Sequence, residues 1–136
     1  MRVLVAGGEG LFRAGLVSLL LERGHLVVAQ ARDGFEALEQ ARALRPDLVV
    51  MDVCVHRCNG LEATRLIRAE LPEINIVLVA AANEVGELPE TLGSGVAGYV
   101  PMDRSAEELT RVLDALANGS RLAGFAAPVR KEEQCS

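Results

Sequence analysis

Four apolar residues, Leu48-Val49-Val50-Met51, run into a carboxylate at Asp52 and stop. Arg45-Pro46 lies just upstream, and the residue before a proline is driven out of helical geometry, so the preceding helix has to end there. Asn59-Gly60 supplies a turn signal on the far side. A run this short and apolar, bounded by breakers, fits a strand covered on both faces, as in a parallel sheet. Open sheets of that kind place their chemistry beyond the C-terminal ends of the strands. Asp52 is therefore the first residue a functional reading has to explain.

The rest of the chain repeats this grammar. Residues 2–6 read as a strand ending at Gly7-Gly8-Glu9-Gly10, and Phe12, Leu16, Leu19 and Leu20 follow at helical spacing until Gly24. A second strand covers 26–29. Asp33 and Glu36 have capping-box spacing for a helix carrying Phe35, Leu38, Ala41 and Leu44. After the strand ending at Asp52, a helix is expected over about 61–71, with Arg65 and Arg68 on its wet side, then a strand over 74–79. A fourth helix is expected within 84–95, but Gly86 and Pro89 interrupt it. Proline inside a helix costs about 3 kcal/mol, so this helix should be short and start near Leu88, or be loosely held. A fifth strand covers 97–100. Ser105 and Glu108 have capping-box spacing for a last helix, with Leu109, Val112, Leu113 and Leu116 as its stripe and Gly119 as its stop. Five strands alternating with five helices predict a doubly wound α/β domain with a five-stranded parallel sheet and right-handed crossovers.

Composition narrows the function classes. The chain has 136 residues, half of them hydrophobic, enough for one domain with a sizeable core. That domain is expected over 1–118, with 119–136 as a linker or tail. No apolar run approaches the roughly 20 residues that span a bilayer, and the first residues read as a strand and not as a signal peptide. A cytoplasmic protein without a membrane partner is the expectation. A net charge of −5 argues against a broad nucleic-acid-binding surface. Of 14 lysines and arginines only Lys131 is a lysine, so a chemistry needing a lysine in the domain has no candidate.

Two constellations suggest other chemistry. Cys54-Val55-His56-Arg57-Cys58 offers two thiols and an imidazole, but structural zinc takes four ligands, and Cys135 lies in the tail. Space-filling cysteines and a surface histidine are the plainer reading, and no metal is expected. Gly7-Gly8-Glu9-Gly10 after a first strand also suggests a dinucleotide loop, with Arg32 placed to meet a 2′-phosphate. The third glycine of that pattern falls on Arg13, and no Tyr-x-x-x-Lys pair exists.

The segments Arg45-Pro46-Asp47-Leu48-Val49-Val50-Met51-Asp52, Asn59-Gly60-Leu61-Glu62-Ala63-Thr64 and Gly98-Tyr99 together resemble a response-regulator receiver domain over about residues 2–118. The regulators with a LuxR/NarL-type helix-turn-helix are the most similar. The resemblance implies a CheY-like, flavodoxin-like sheet in the order 2-1-3-4-5. It makes Asp52 the equivalent of the phosphoacceptor for a histidine kinase. It also implies an acidic pair after strand 1 that helps hold Mg²⁺, a hydroxyl after strand 4, a lysine after strand 5 and a switch aromatic. This sequence has Gly7 and Gly8 at the acidic pair, Ala80 at the hydroxyl and Met102 at the lysine, while Asp52 and the aromatic Tyr99 remain. One carboxylate with backbone carbonyls makes a poor Mg²⁺ site, so loss of that site and no cofactor are expected. Glu9 would reach the site only by a register shift.

The resulting expectation is a degenerate receiver, or pseudo-receiver, of a transcriptional regulator. It would act through homodimerisation or a non-phosphate signal, with DNA contacted only by an output domain outside this chain. Helix 4, strand 5 and helix 5 often mediate association in the family; with Gly86 and Pro89 in helix 4, a dimer through helices 1 and 5 is equally open. A conventional phosphoacceptor at Asp52 and a small-molecule sensor are the alternatives. Around Asp52, either Met102 fills the gap left by Gly7, Gly8 and Ala80, or a pocket for a small ligand opens. Tyr99 is either the switch residue or an ordinary strand aromatic. No enzymatic turnover is expected beyond self-phosphorylation.

Overall fold

The computed structural model describes residues 1–7, 10–53, 60–81 and 96–117. The chain divides into two compact units, Met1–Ile76 and a second beginning at Val77. The strands, numbered in chain order, form a five-stranded parallel sheet in the order 2-1-3-4-5. The expected architecture and strand order are those observed.

In the first unit, β1 (Arg2–Ala6) leads to α1 (Gly10–Glu22), β2 (Leu26–Ala31), α2 (Gly34–Leu44), β3 (Leu48–Asp52) and α3 (Gly60–Glu70), and β4 (Asn75–Ala80) begins at its end. All five residues of β3 are buried, which explains its unbroken apolar character. Burying each of its Leu and Val side chains is worth roughly 1.5–3 kcal/mol. β2, at the sheet edge, is half wet, runs two residues past the expected end, and carries a register irregularity opposite Val3/Leu4. Bulges of this kind twist an edge strand and blunt its pairing with other chains.

α2 starts as its sequence requires. The Asp33 carboxylate accepts the Glu36 N–H at 2.9 Å, and Glu36 reaches back to the Arg32 N–H at 2.6 Å. The helix ends at Arg45, whose N–H still bonds the Ala41 carbonyl and whose left-handed backbone (φ 50°) turns the chain out of the helix before Pro46. Its buried face is Gly34, Ala37, Leu38 and Ala41. Phe35, expected on the core stripe, is instead 53 % exposed, because it lies one residue, about 100° of helix, away from that face.

In the second unit, β4 pairs in parallel with β5 (Gly98–Pro101), which a 3₁₀ turn over Met102–Arg104 joins to α4 (Ser105–Ala117). Leu109, Val112 and Leu113 form the buried stripe of α4, as their spacing predicts. A Cβ on Gly98 would meet Val112 Cγ2 at 3.2 Å, so the glycine before Tyr99 lets helix and strand approach closely. Ser105 is already the first residue of α4, so the expected Ser105–Glu108 capping box is displaced by the 3₁₀ turn. The buried Glu108 carboxylate lies 3.8 Å from Arg104 and 3.7 Å from Arg111. The interrupted helix expected within 84–95 lies outside the described residues.

Candidate functional site

Parallel register decides which residues gather at the C-terminal strand ends. β1 and β3 pair Val5 with Val50 and Ala6 with Met51, so the next step sets Gly7 beside Asp52. Asp52 is 9 % exposed, the last residue of a strand that is otherwise wholly apolar. Gly7 is held from both sides. Its N–H donates to the Ala31 carbonyl at 2.9 Å, extending the β1–β2 ladder, and its carbonyl accepts Arg13 Nη1 at 3.2 Å.

Between those two bonds the Gly7 backbone has φ +78°, a conformation glycine adopts at little cost and other residues avoid. It also packs closely on β3: a Cβ at residue 7 would stand 3.0 Å from the Asp52 carbonyl oxygen and 3.3 Å from its Cβ. At residue 7, beside Asp52, there is thus bare backbone, and among the described residues a guanidinium reaches its carbonyl.

Arg13 is the residue that reading the sequence missed. It entered only as a departure from a dinucleotide loop, and its one signal was a place in the first turn of a helix that starts next to a glycine-rich connection. A side chain there points back toward the preceding strand end.

In the second unit, Ala80 pairs with Pro101 at the last step of the β4–β5 ladder, and Met102 follows as the first residue of the 3₁₀ turn. Ala80 is fully buried, whereas Met102 is 37 % exposed. Tyr99, paired with Leu78, is 4 % exposed. Gly8, Glu9, Cys54, His56 and Cys58 lie outside the described residues. Among the described residues no group of three or more His, Cys, Asp or Glu side chains is placed to hold a metal ion, and no helix is long and apolar enough to cross a membrane.

A shallow groove of about 390 Å³ lies along α2 between Arg32, Phe35, Glu39 and Arg42. Its guanidiniums already pair with carboxylates, Arg32 with Glu36 at 3.4 Å and Arg42 with Glu70 at 2.8 Å, so it presents no free cation to an anionic ligand. The Arg42 guanidinium holds the Glu70 carboxyl below its ordinary value, and the Arg32 N–H does the same for Glu36.

Comparison with known proteins gives a consistent answer. The family model described as the response regulator receiver domain matches residues 3–114. The transcriptional regulatory protein LnrK of Bacillus subtilis is 33% identical over 120 residues, 88% of this chain and 54% of LnrK. The response regulator GacA of Pseudomonas viridiflava is 36% identical over 122 residues, 89% of this chain and 57% of GacA. A solved two-component response regulator of the LuxR family, from an Aurantimonas species, superposes with a TM-score of 0.78 at 30% identity, over 88% of this chain and 86% of that one. The chain spans about half the length of the curated relatives it matches. Strand order alone is shared by proteins of unrelated function and would leave the family open. A sequence match that runs from β1 into α4 does not, and this chain belongs to the response regulator receiver domain family.

Proposed function

We propose that this receiver is degenerate: it passes a signal without ordinary phosphotransfer, through self-association or a non-phosphate input. The observation that supports this most is Gly7, a left-handed glycine against Asp52 at the position where the family resemblance implies an acid. Mg²⁺ prefers near-octahedral oxygen coordination and is held by carboxylates with water and phosphate. Asp52 would supply one carboxylate, and the neighbouring Gly7 carbonyl already accepts Arg13. The described residues do not fit the cation. Gly8, Ala80 and Met102 carry the same reading: each would take the place of a group that holds the cation, senses the phosphoryl group or neutralises it.

The association half of the proposal rests on α1. Leu11 is 89 % and Leu21 54 % exposed, and the exposed Ala14, Gly15 and Ser18 lie between them on the same side of the helix. Exposed apolar surface favours burial against a partner, here with the exposed Glu22 at the C-terminal end of the face, and a homodimer is the partner proposed. By likeness to its relatives, the chain would serve a cytoplasmic transcriptional regulator whose DNA contacts belong to another domain. No catalytic turnover is assigned to it.

A second reading keeps support from Asp52 itself. It stands at the end of the third strand, nine-tenths buried, where an acceptor for a histidine kinase would stand, and Tyr99 accompanies it on β5. Intact mass after incubation with acetyl phosphate and Mg²⁺ separates the two readings. The degenerate receiver gains no phosphoryl group. A gain of one group, lost in Asp52→Asn, would return Asp52 to the phosphorelay. Sedimentation of the untreated chain tests association, and a monomer at every concentration would remove the dimer. A small metabolite as the input would show itself as a ligand-dependent rise in Tm.

A further inference from the structure

The contacts of Gly7 impose a restriction that does not depend on charge. Its N–H is fixed by the Ala31 carbonyl and its carbonyl by Arg13, so the peptide groups on both sides are held while φ stays at +78°. The atoms a Cβ would meet, at 3.0 and 3.3 Å, are the backbone oxygen and Cβ of Asp52, which cannot swing aside as the end of a long side chain can. Gly10 and Gly15, in the helix that follows, have nothing within 4 Å of the same hypothetical atom. The restriction belongs to residue 7 and not to a generally loose, glycine-rich segment.

We propose that Gly7 closes the end of β1 against β3 in a glycine-only conformation, so that no acidic side chain can return to position 7 without rebuilding the strand end. Position 7 is then barred to a carboxylate sterically, besides lacking one. An aspartate at residue 7 would have to turn the backbone to negative φ, give up the bond to Ala31 or to Arg13, and move the Asp52 peptide. This rests on the degenerate reading only in taking position 7 as the place of the missing acid; the packing of residue 7 on Asp52 is independent of what Asp52 does.

The test uses the full chain and three variants, Gly7→Ala, Gly7→Asp and Gly10→Ala, followed by thermal unfolding with and without Mg²⁺. Gly7→Ala is expected to lower Tm by about 4–8 °C, while Gly10→Ala, in the first turn of a helix with open space around it, does not lower it. Gly7→Asp is expected to lose at least as much as Gly7→Ala and to gain no Mg²⁺-dependent rise. A Gly7→Ala chain that melts within about 1 °C of the parent would overturn the closure, on the scale by which single substitutions shift a domain of this size. So would a Gly7→Asp chain that Mg²⁺ stabilises while the parent is unaffected. If neither Gly7 variant folds, amide exchange on the parent decides: a Gly7 N–H protected like those inside β1 supports the arrangement, and one exchanging at the unprotected rate refutes it. Phosphoryl gain by the parent at Asp52 would remove the degenerate reading and leave each of these outcomes unchanged.

Discussion

Asp47 and Asp52 flank the same strand, yet the chain uses them differently. Asp47, just before β3, is exposed, and its Oδ2 accepts the Arg2 N–H at 2.8 Å. Its own N–H donates to the Arg2 carbonyl at 2.8 Å, and its carbonyl accepts the Asn75 N–H at 3.1 Å. Around it Arg2 Nη1 reaches the Arg45 carbonyl at 2.8 Å and Arg45 Nη1 meets Glu73 at 2.7 Å. Polar groups at this end of the first unit satisfy one another, and the fold accounts for them. Asp52, at the other end, is buried beside the bare backbone of Gly7. Nothing in strand formation calls for an acid there, since burying a carboxylate is costly. The difference teaches where to look for function: at the end where an acid closes a strand whose other residues are all apolar.

The comparison can be broken or sharpened by experiment. The largest effect outside Gly7 is expected from Asp47→Ala, which leaves the Arg2 N–H without its carboxylate. A loss of about 1–2 kcal/mol corresponds to a fall in Tm of roughly 3–6 °C. Asp47→Asn keeps an acceptor and should recover much of it; equal losses in both variants would deny the bond its role. Next comes Arg45→Gly, which relieves a left-handed backbone at the cost of an exposed ion pair worth little. Tm should rise by about 1–2 °C, and a fall would mean that the pair with Glu73 outweighs the backbone term.

For Mg²⁺ the expected effect is smaller still. Ligand stabilisation vanishes when the dissociation constant lies well above the ligand concentration. Millimolar Mg²⁺ should therefore leave the Tm of both the parent and Asp52→Asn unmoved. A rise in the parent alone would give Asp52 a cation after all.

The smallest effect is the acid dependence of the Arg42–Glu70 pair at the surface between α2 and α3. Glu70 is held below its ordinary value by the Arg42 hydrogen bond, against a smaller opposing effect of burial. A depressed folded value means that its stabilising contribution is complete above the ordinary glutamate range and is lost as pH falls through the depressed value. Arg42→Gln should flatten the fall of Tm with acid in that range. An unchanged slope would show that the pair contributes nothing to stability.

Much of this was legible in the residues. Leu48 to Asp52 announced a doubly covered strand because the sequence had no polar residue to turn outward. Asp33 and Glu36 announced a helix start because a capping carboxylate needs only local geometry. Phe35 was misplaced because apolar spacing admits two neighbouring faces, and only the partner surface selects one. Ser105 was displaced because a 3₁₀ turn took up the residues ahead of it. At the candidate site, the types of residue at Gly7, Asp52, Ala80 and Met102 could be read and placed at strand ends. The approach of Gly7 to Asp52 and the reach of Arg13 could not, since they depend on strand register and on a helix entering at a particular angle.

The sequence by itself determined the alternation of strands and helices, the apolar centre of the sheet, the family, and the replacement of an expected acidic pair by glycines. Those follow from local propensity, hydrophobic period and residue identity, which are properties of short segments. Only the tertiary structure decided that Gly7 stands at φ +78° against Asp52 and that its carbonyl is taken by Arg13. A glycine in a sequence permits both signs of φ equally. It is the neighbouring strand, with its backbone 3.0 Å from where a Cβ would stand, that makes the permission a requirement.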